Sequence, residues 1–140
     1  MFIATCKLQV QDTKLARSAP SDFRSGCPIA STLDLVGDRW TLVILRDLAN
    51  GKSKFQEFLD SPERIATNIL TARLSQMEED GLVKAEVYEL RPRRYAYKLT
   101  PKGAALIPVL QAISRWGCGE LPNRWTPPER FMKLKPKDLA

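Results

Sequence analysis

A chain of 140 residues with no histidine and only three cysteines, at 6, 27 and 118, excludes Ser-His and Cys-His nucleophile pairs, His-containing metal sites and a disulfide scaffold. Its composition, 44% hydrophobic and 27% charged, suits one soluble globular domain with a real core, and no run approaches the roughly 18 apolar residues of a membrane span. The formal charge of +6 belongs mostly to the ends: residues 1–26 carry four positive and two negative side chains and residues 119–140 five and three, which leaves an excess of two between them. Placement of charge, not net basicity, therefore has to argue for a polyanionic partner.

In chain order, the opening MFIATCKLQVQDTK meets polar residues too soon for a secretory signal, so a cytoplasmic location is expected. Residues 1–26 are polar and end in Ser- and Gly-containing stretches, which reads as a flexible N-terminal arm. Cys27-Pro28 opens a helix, with proline where its missing N–H costs nothing; Ile29, Leu33 and Val36 share a face, and Gly37 stops it. Asp38 can cap a nearly buried helix over 39–50 that ends at Asn50-Gly51. A very short strand at Lys54-Phe55 and a short helix over 56–59 follow, before Ser61-Pro62 makes a turn.

The next helix, about 66–80, places Ala66, Ile69 or Leu70, Leu74 and Met77 inward at spacings of three and four. Residues 82–88 and 94–99 alternate as strands around the basic loop Glu89-Leu90-Arg91-Pro92-Arg93. Thr100-Pro101 starts a long helix to Trp116 with the apolar stripe Leu106, Val109, Leu110, Ile113 and Trp116. Residues 118–140, rich in Pro, Trp and Lys, read as an irregular C-terminal tail. The fold expected is mostly α with one small β-hairpin, a winged helix-turn-helix over 27–117 with an additional dimerisation helix at each end.

Such a fold enters the major groove with the N-terminal end of its second helix-turn-helix element. With Leu70 at the centre of the buried stripe and about 100° per residue, Asn68, Thr71 and Ala72 point outward, with Thr67 and Arg73 on the flanks. Asn bonds adenine bidentately, Arg takes guanine or phosphate, and Thr serves base or backbone. Glu78, Glu79 and Asp80 at the far end would be held off the phosphates. Arg91, Arg93 and Arg94 around Pro92 suit a wing whose arginines insert in a narrow minor groove, against the alternative of ordinary surface charge on a solvated turn.

Seven fragments in order carry a resemblance: Cys27-Pro28; Gly37-Asp38-Arg39-Trp40 with Ile44-Leu45-Arg46; Phe55-Gln56-Glu57-Phe58; Ile65-Ala66-Thr67-Asn68-Ile69-Leu70 with Arg73-Leu74; Glu79-Asp80-Gly81-Leu82-Val83; Arg94-Tyr95 with Tyr97-Lys98-Leu99-Thr100-Pro101-Lys102-Gly103; and Trp116-Gly117. From Cys27 to Gly117 the chain resembles the HxlR-type regulators. The resemblance implies a bacterial or archaeal winged-helix transcription regulator that dimerises through its first and last helices and binds a palindromic operator. Arg39 stands where lysine is commoner, and the extensions 1–26 and 118–140 exceed the usual compact domain.

Two-fold pairing doubles the contacts of one recognition helix and matches a palindrome. Ile29, Leu33 and Val36, with Leu106, Val109, Leu110, Ile113 and Trp116, are the expected dimer interface; burial within one subunit is the alternative. Cys27, at a helix N-terminus where the dipole favours a thiolate, is either a reactive thiol or a small packed residue. The resemblance points to the first, since several relatives sense oxidants or electrophiles through an N-terminal cysteine before proline. Oxidation could then link Cys27 to Cys118 of the partner subunit. No cofactor or metal is expected. Two rival functions remain, a winged-helix module for protein contacts without operator binding, and a redox enzyme using Cys27 that would lack a CxxC motif, a histidine or a cofactor loop.

Overall fold

A computed structural model describes residues 23–140 of the chain, so residues 1–22 of the expected arm, with Cys6, lie outside the described residues. The chain divides into two units, 1–39 and 40–140. In the first, α1 (Pro28–Val36) begins with proline in its first turn, and extended Cys27 is the N-cap. Arg24 and Ser25 close this start. Arg24 Nε donates to Asp34 Oδ1 at 2.5 Å, Ser31 Oγ to the Ser25 carbonyl at 2.9 Å, and the Cys27 N–H to Ser25 Oγ at 3.2 Å.

The second unit runs α2 (Thr41–Ala49), α3 (Phe55–Leu59), α4 (Thr67–Glu79), β1 (Val83–Leu90), β2 (Arg93–Leu99), α5 (Pro101–Ala104), α6 (Ile107–Glu120), α7 (Glu129–Lys133) and a 3-10 turn at Pro136–Asp138. The nearly unbroken apolar run of α2 has its cause here: the helix packs on both α6 and β2, so Ile44, Leu45, Leu48 and Ala49 are all buried. It starts at Thr41 with Trp40 as its N-cap, two residues later than expected. α3 packs on α4, and α4 on β1. The inner row of α4 is Leu70, Leu74 and Met77; Ile65 from the preceding turn, and not Ala66 or Ile69, completes it.

The strands form an antiparallel pair with Val83 opposite Leu99, Ala85 opposite Tyr97 and Val87 opposite Tyr95. The expected strand at 54–55 is reduced to one bridge between Lys54 and Ala96, supported by the Tyr97 N–H donating to the Ser53 carbonyl at 2.8 Å. At the base of the hairpin the chain passes very close to itself. Thr100 caps α5 by accepting from the Gly103 N–H at 3.0 Å, and its own N–H donates to the Leu82 carbonyl at 3.1 Å. A Cβ on Gly103 would meet that carbonyl oxygen at 2.1 Å, which is why glycine stands there.

Two expectations are corrected. The single helix from Pro101 to Trp116 is two, broken between Ala104 and Ile107. Pro108 is the cause: in a continuous helix its ring would collide with the carbonyl four residues back, at Ala104, and it has no N–H to donate there. The region 118–140 is also only partly irregular. α6 continues to Glu120, and α7 and the 3-10 turn follow. Phe131 of α7 is buried, and buried Gln111 of α6 donates through Nε2 to the Phe131 and Leu134 carbonyls at 3.0 and 2.8 Å. Replacing Phe131 by alanine should cost about 3–5 kcal/mol of unfolding free energy, read by urea denaturation. A loss under about 1 kcal/mol, the range of a surface change, would show the segment undocked.

Candidate nucleic-acid interface

The turn between α3 and α4 is tied to α2 by a chain of charged and hydroxyl groups. Asp47 is 4% exposed and lies among apolar neighbours of α2, where a carboxylate is tolerated only if its oxygens are satisfied. Arg46 Nε and Nη2 donate to its Oδ1 at 3.0 and 2.8 Å, and Ser61 Oγ donates to its Oδ2. Lys52 Nζ donates to Ser61 Oγ at 2.7 Å. The same Arg46 grips Glu63 with both terminal nitrogens, at 2.7 and 2.8 Å. The bonds to Glu63 and Asp47 outweigh burial and raise the Arg46 guanidinium above its ordinary value, and the Arg46 bond holds the Glu63 carboxyl below its own. Ser61 and Glu63 are thus fixed, and Arg64 adopts a left-handed φ of 57° to turn the chain into α4.

α4 starts at Thr67 with Ala66 as N-cap and no side-chain cap. Asn68, Thr71 and Ala72, expected to face outward, are exposed; of the two flanking residues Thr67 is exposed and Arg73 is half-buried and engaged. Thr71 Oγ1 donates to the Thr67 carbonyl at 3.0 Å. At the far end Glu78 and Glu79 are exposed, and Asp80 is buried, accepting from Gln76 Nε2 at 3.2 Å. Exposed Arg64 at the entrance to α4 is a cation that no sequence signal singled out, because a left-handed non-glycine turn has no reliable signature.

The three wing arginines are not equivalent. Arg94 pairs with Glu89 across the hairpin at 3.1 Å, whereas Arg91 and Arg93 are exposed and form no ion pair among the described residues. On β1, Lys84 and Glu86 lie opposite Lys98 and Ala96, and Glu86 forms ion pairs with Lys98 at 3.0 Å and Lys84 at 3.6 Å. Lys54 Nζ stands 4.8 Å from the Tyr88 ring centre.

Among the residues expected at a dimer interface, Ile29 and Leu33 of α1 and Val109, Ile113 and Trp116 of α6 are exposed. Val36 and Leu110 are buried, and Leu106 is half-buried. Both described cysteines are free and exposed; Cys118 Sγ lies 3.5 Å from the Trp125 carbonyl. No group of histidine, cysteine and carboxylate side chains among the described residues could hold a metal ion, and no described helix is long and apolar enough to cross a membrane.

Helices α2–α4 followed by the β1–β2 hairpin form a winged helix-turn-helix, the architecture of a DNA-binding transcription regulator. The HxlR-like helix-turn-helix family profile matches residues 35–124, and the chain belongs to this HxlR-type family. It is 36% identical to the uncharacterized HTH-type transcriptional regulator YdeP of Bacillus subtilis over 108 residues, 77% of this chain and 84% of that one. Among solved structures it is similar to the redox regulator HypR in its reduced form, with TM-score 0.64 and 32% identity over 69% of this chain and 95% of that one. It is also similar to the reduced form of the transcriptional regulator YodB from B. subtilis, with TM-score 0.58 and 30% identity over 71% of this chain and 98% of the other.

The Glu63 carboxyl titrates below its unfolded value of about 4.3. The stability it contributes is therefore fully present above that pH and is lost as pH falls through the folded value. Because Glu63 is partly exposed, Glu63→Gln should cost only about 0.5–1 kcal/mol at pH 7. It should also flatten the acid side of the stability curve below about pH 4.3, measured by thermal melts across pH. An unchanged curve would show that this pair does not hold the turn.

Proposed function

We propose that the protein is a sequence-specific repressor that binds a palindromic operator as a homodimer. Thr67, Asn68, Thr71, Ala72 and Arg73 of α4 enter the major groove, and Arg91, Arg93 and Arg94 of the wing approach the minor groove. The observation that carries this reading is the end of α4. Hydrogen-bonding side chains stand exposed on the first two turns of a helix whose entrance is held by Arg46, Asp47, Ser61 and Glu63. The carboxylates Glu78 and Glu79 stand at the opposite end, where phosphates would not meet them. Exposed Ile29, Leu33, Val109, Ile113 and Trp116 support pairing of two copies, since apolar side chains gathered on helices otherwise meet water.

Affinity for a duplex should fall log-linearly with salt, and Arg93→Ala should reduce the slope by about one phosphate contact. Asn68→Ala should weaken binding to the selected site by about 1–3 kcal/mol and change non-specific binding little. Equal losses on both DNAs would remove α4 from the groove. A salt-insensitive interaction would favour the protein-contact module instead.

A second reading concerns control. Cys27 is an exposed thiol at the N-cap of α1, and a similar structure is that of a redox regulator solved in reduced and oxidised forms. An oxidant or electrophile acting on Cys27 is the inducer, with Cys118 of the partner subunit as the second thiol of a disulfide. Diamide treatment should then change operator affinity in the wild type and leave Cys27→Ser unaffected. A Cys27→Ser protein that still responds rules this reading out.

A further inference from the structure

The hairpin carries an apolar row that leaves the core and continues to its tip. Residues paired across an antiparallel ladder share a face, and successive residues alternate. Val83 with Leu99, Ala85 with Tyr97 and Val87 with Tyr95 therefore lie on one face. Its inner end is buried at Val83 and Leu99, and the Tyr97 ring meets Phe58 edge-on with centres 6.4 Å apart. Beyond that the row emerges: Val87 is 44% exposed and Tyr95 40%.

Simple alternation would next place Glu89 on this face and turn Leu90 away. The register shifts instead between Val87 and Glu89, with Tyr88 as the extra residue of a bulge. The phase of β1 is reversed from there on. Glu89 falls opposite Arg94 on the other face, where the two form their ion pair, and Leu90 falls opposite Arg93 on the face of Val87 and Tyr95. The bulge therefore neutralises the one acidic group near the tip and delivers a leucine, 73% exposed, to the end of the apolar row. Its neighbours are Arg91, Pro92 and Arg93, both arginines without an ion pair among the described residues. An apolar projection between two uncompensated guanidinium groups fits the minor groove of duplex DNA, where phosphates line both sides and an apolar side chain can enter between the faces of stacked bases.

We propose that Leu90, backed by Pro92, is a wedge that enters the minor groove and partly unstacks one base step while Arg91 and Arg93 hold the flanking phosphates. The proposal rests on the operator-binding reading and adds a determinant of sequence preference that makes no hydrogen bond to a base. Unstacking is least costly at TA and CA/TG steps, so Leu90 selects such a step at a fixed offset from the bases met by α4.

The test is selection from a pool of 30-base-pair duplexes with randomised sequence by the full-length protein, followed by binding measurements on the selected duplex with 2-aminopurine beside the enriched step. The wild type should enrich a pyrimidine–purine step flanking the bases read by α4 and raise 2-aminopurine fluorescence on binding. Leu90→Ala should lose that enrichment, abolish the fluorescence rise and bind the selected duplex about tenfold more weakly. The slope of log affinity against log salt should stay unchanged, since no charge is removed, whereas Arg93→Ala should lower it. Leu90→Met should retain the fluorescence rise. A selected duplex without an enriched step, or a Leu90→Ala protein equal to wild type in affinity and fluorescence, overturns the wedge and leaves operator binding intact. A Leu90→Ala protein altered in oligomeric state, with DNA affinity intact, assigns the tip to a contact between copies and also overturns it. If the wild type selects no duplex at all, the operator reading falls and the wedge with it.

Discussion

The placement of α4 depends on one buried carboxylate. Asp47 lies in α2, enclosed with Ile44, Leu45 and Leu48, and its oxygens are satisfied by Arg46 and by Ser61 from the turn that precedes α4. An ion buried in this way adds little net stability, because desolvation offsets most of the attraction. Its contribution is to position. Ser61 cannot move away without stranding a charge in an apolar environment, and Glu63, on the same Arg46, fixes the other end of the turn. Helix α4 leaves that turn at Arg64, whose left-handed backbone is stabilised by no local preference of its own and persists because its surroundings hold it.

The hairpin shows a comparable use of one residue to aim others. An uninterrupted two-residue alternation would send Glu89 and Leu90 to faces where neither has its present neighbour. One bulged tyrosine reverses the phase, pairs Glu89 with Arg94 and leaves Arg91 and Arg93 as the free cations of the tip. The wing is thus a smaller charged device than three arginines in sequence suggest. Beside those two cations its exposed surface is apolar, with Val87, Leu90 and Tyr95 on one face.

Beyond the winged domain, the C-terminal segment acts as a strap. Gln111 reaches from α6 to two carbonyls of the α7 region and Phe131 closes over the core, so the last helix of the family domain is held by residues that lie past the matched 35–124. The stripe on α6 divides as a result: Leu110 faces inward, while Val109, Ile113 and Trp116 remain available.

Local signals were enough to mark most elements. Proline at 28 and 101, glycine at 51 and 81 and the three-and-four spacing of Leu70, Leu74 and Met77 act within a few residues, through fixed φ, permitted positive φ and one-sided burial, and so read directly from the chain. The outward set Asn68, Thr71 and Ala72 follows from the same periodicity. Pro108 is equally local, and the break in the last helix follows from its missing N–H and its ring, although the apolar stripe runs on across it. Other features depend on partners that only the folded chain brings together. The Asp47–Ser61 bond, the phase shift at Tyr88, the sharing of Arg94 with Glu89 and the docking of Phe131 each join groups whose proximity no spacing encodes. The sequence by itself determined that a helix with an exposed polar N-terminal end is followed by a basic hairpin. Tertiary structure decided how that helix is held and which arginines are free, because buried polar groups and strand register are satisfied only by partners that folding supplies.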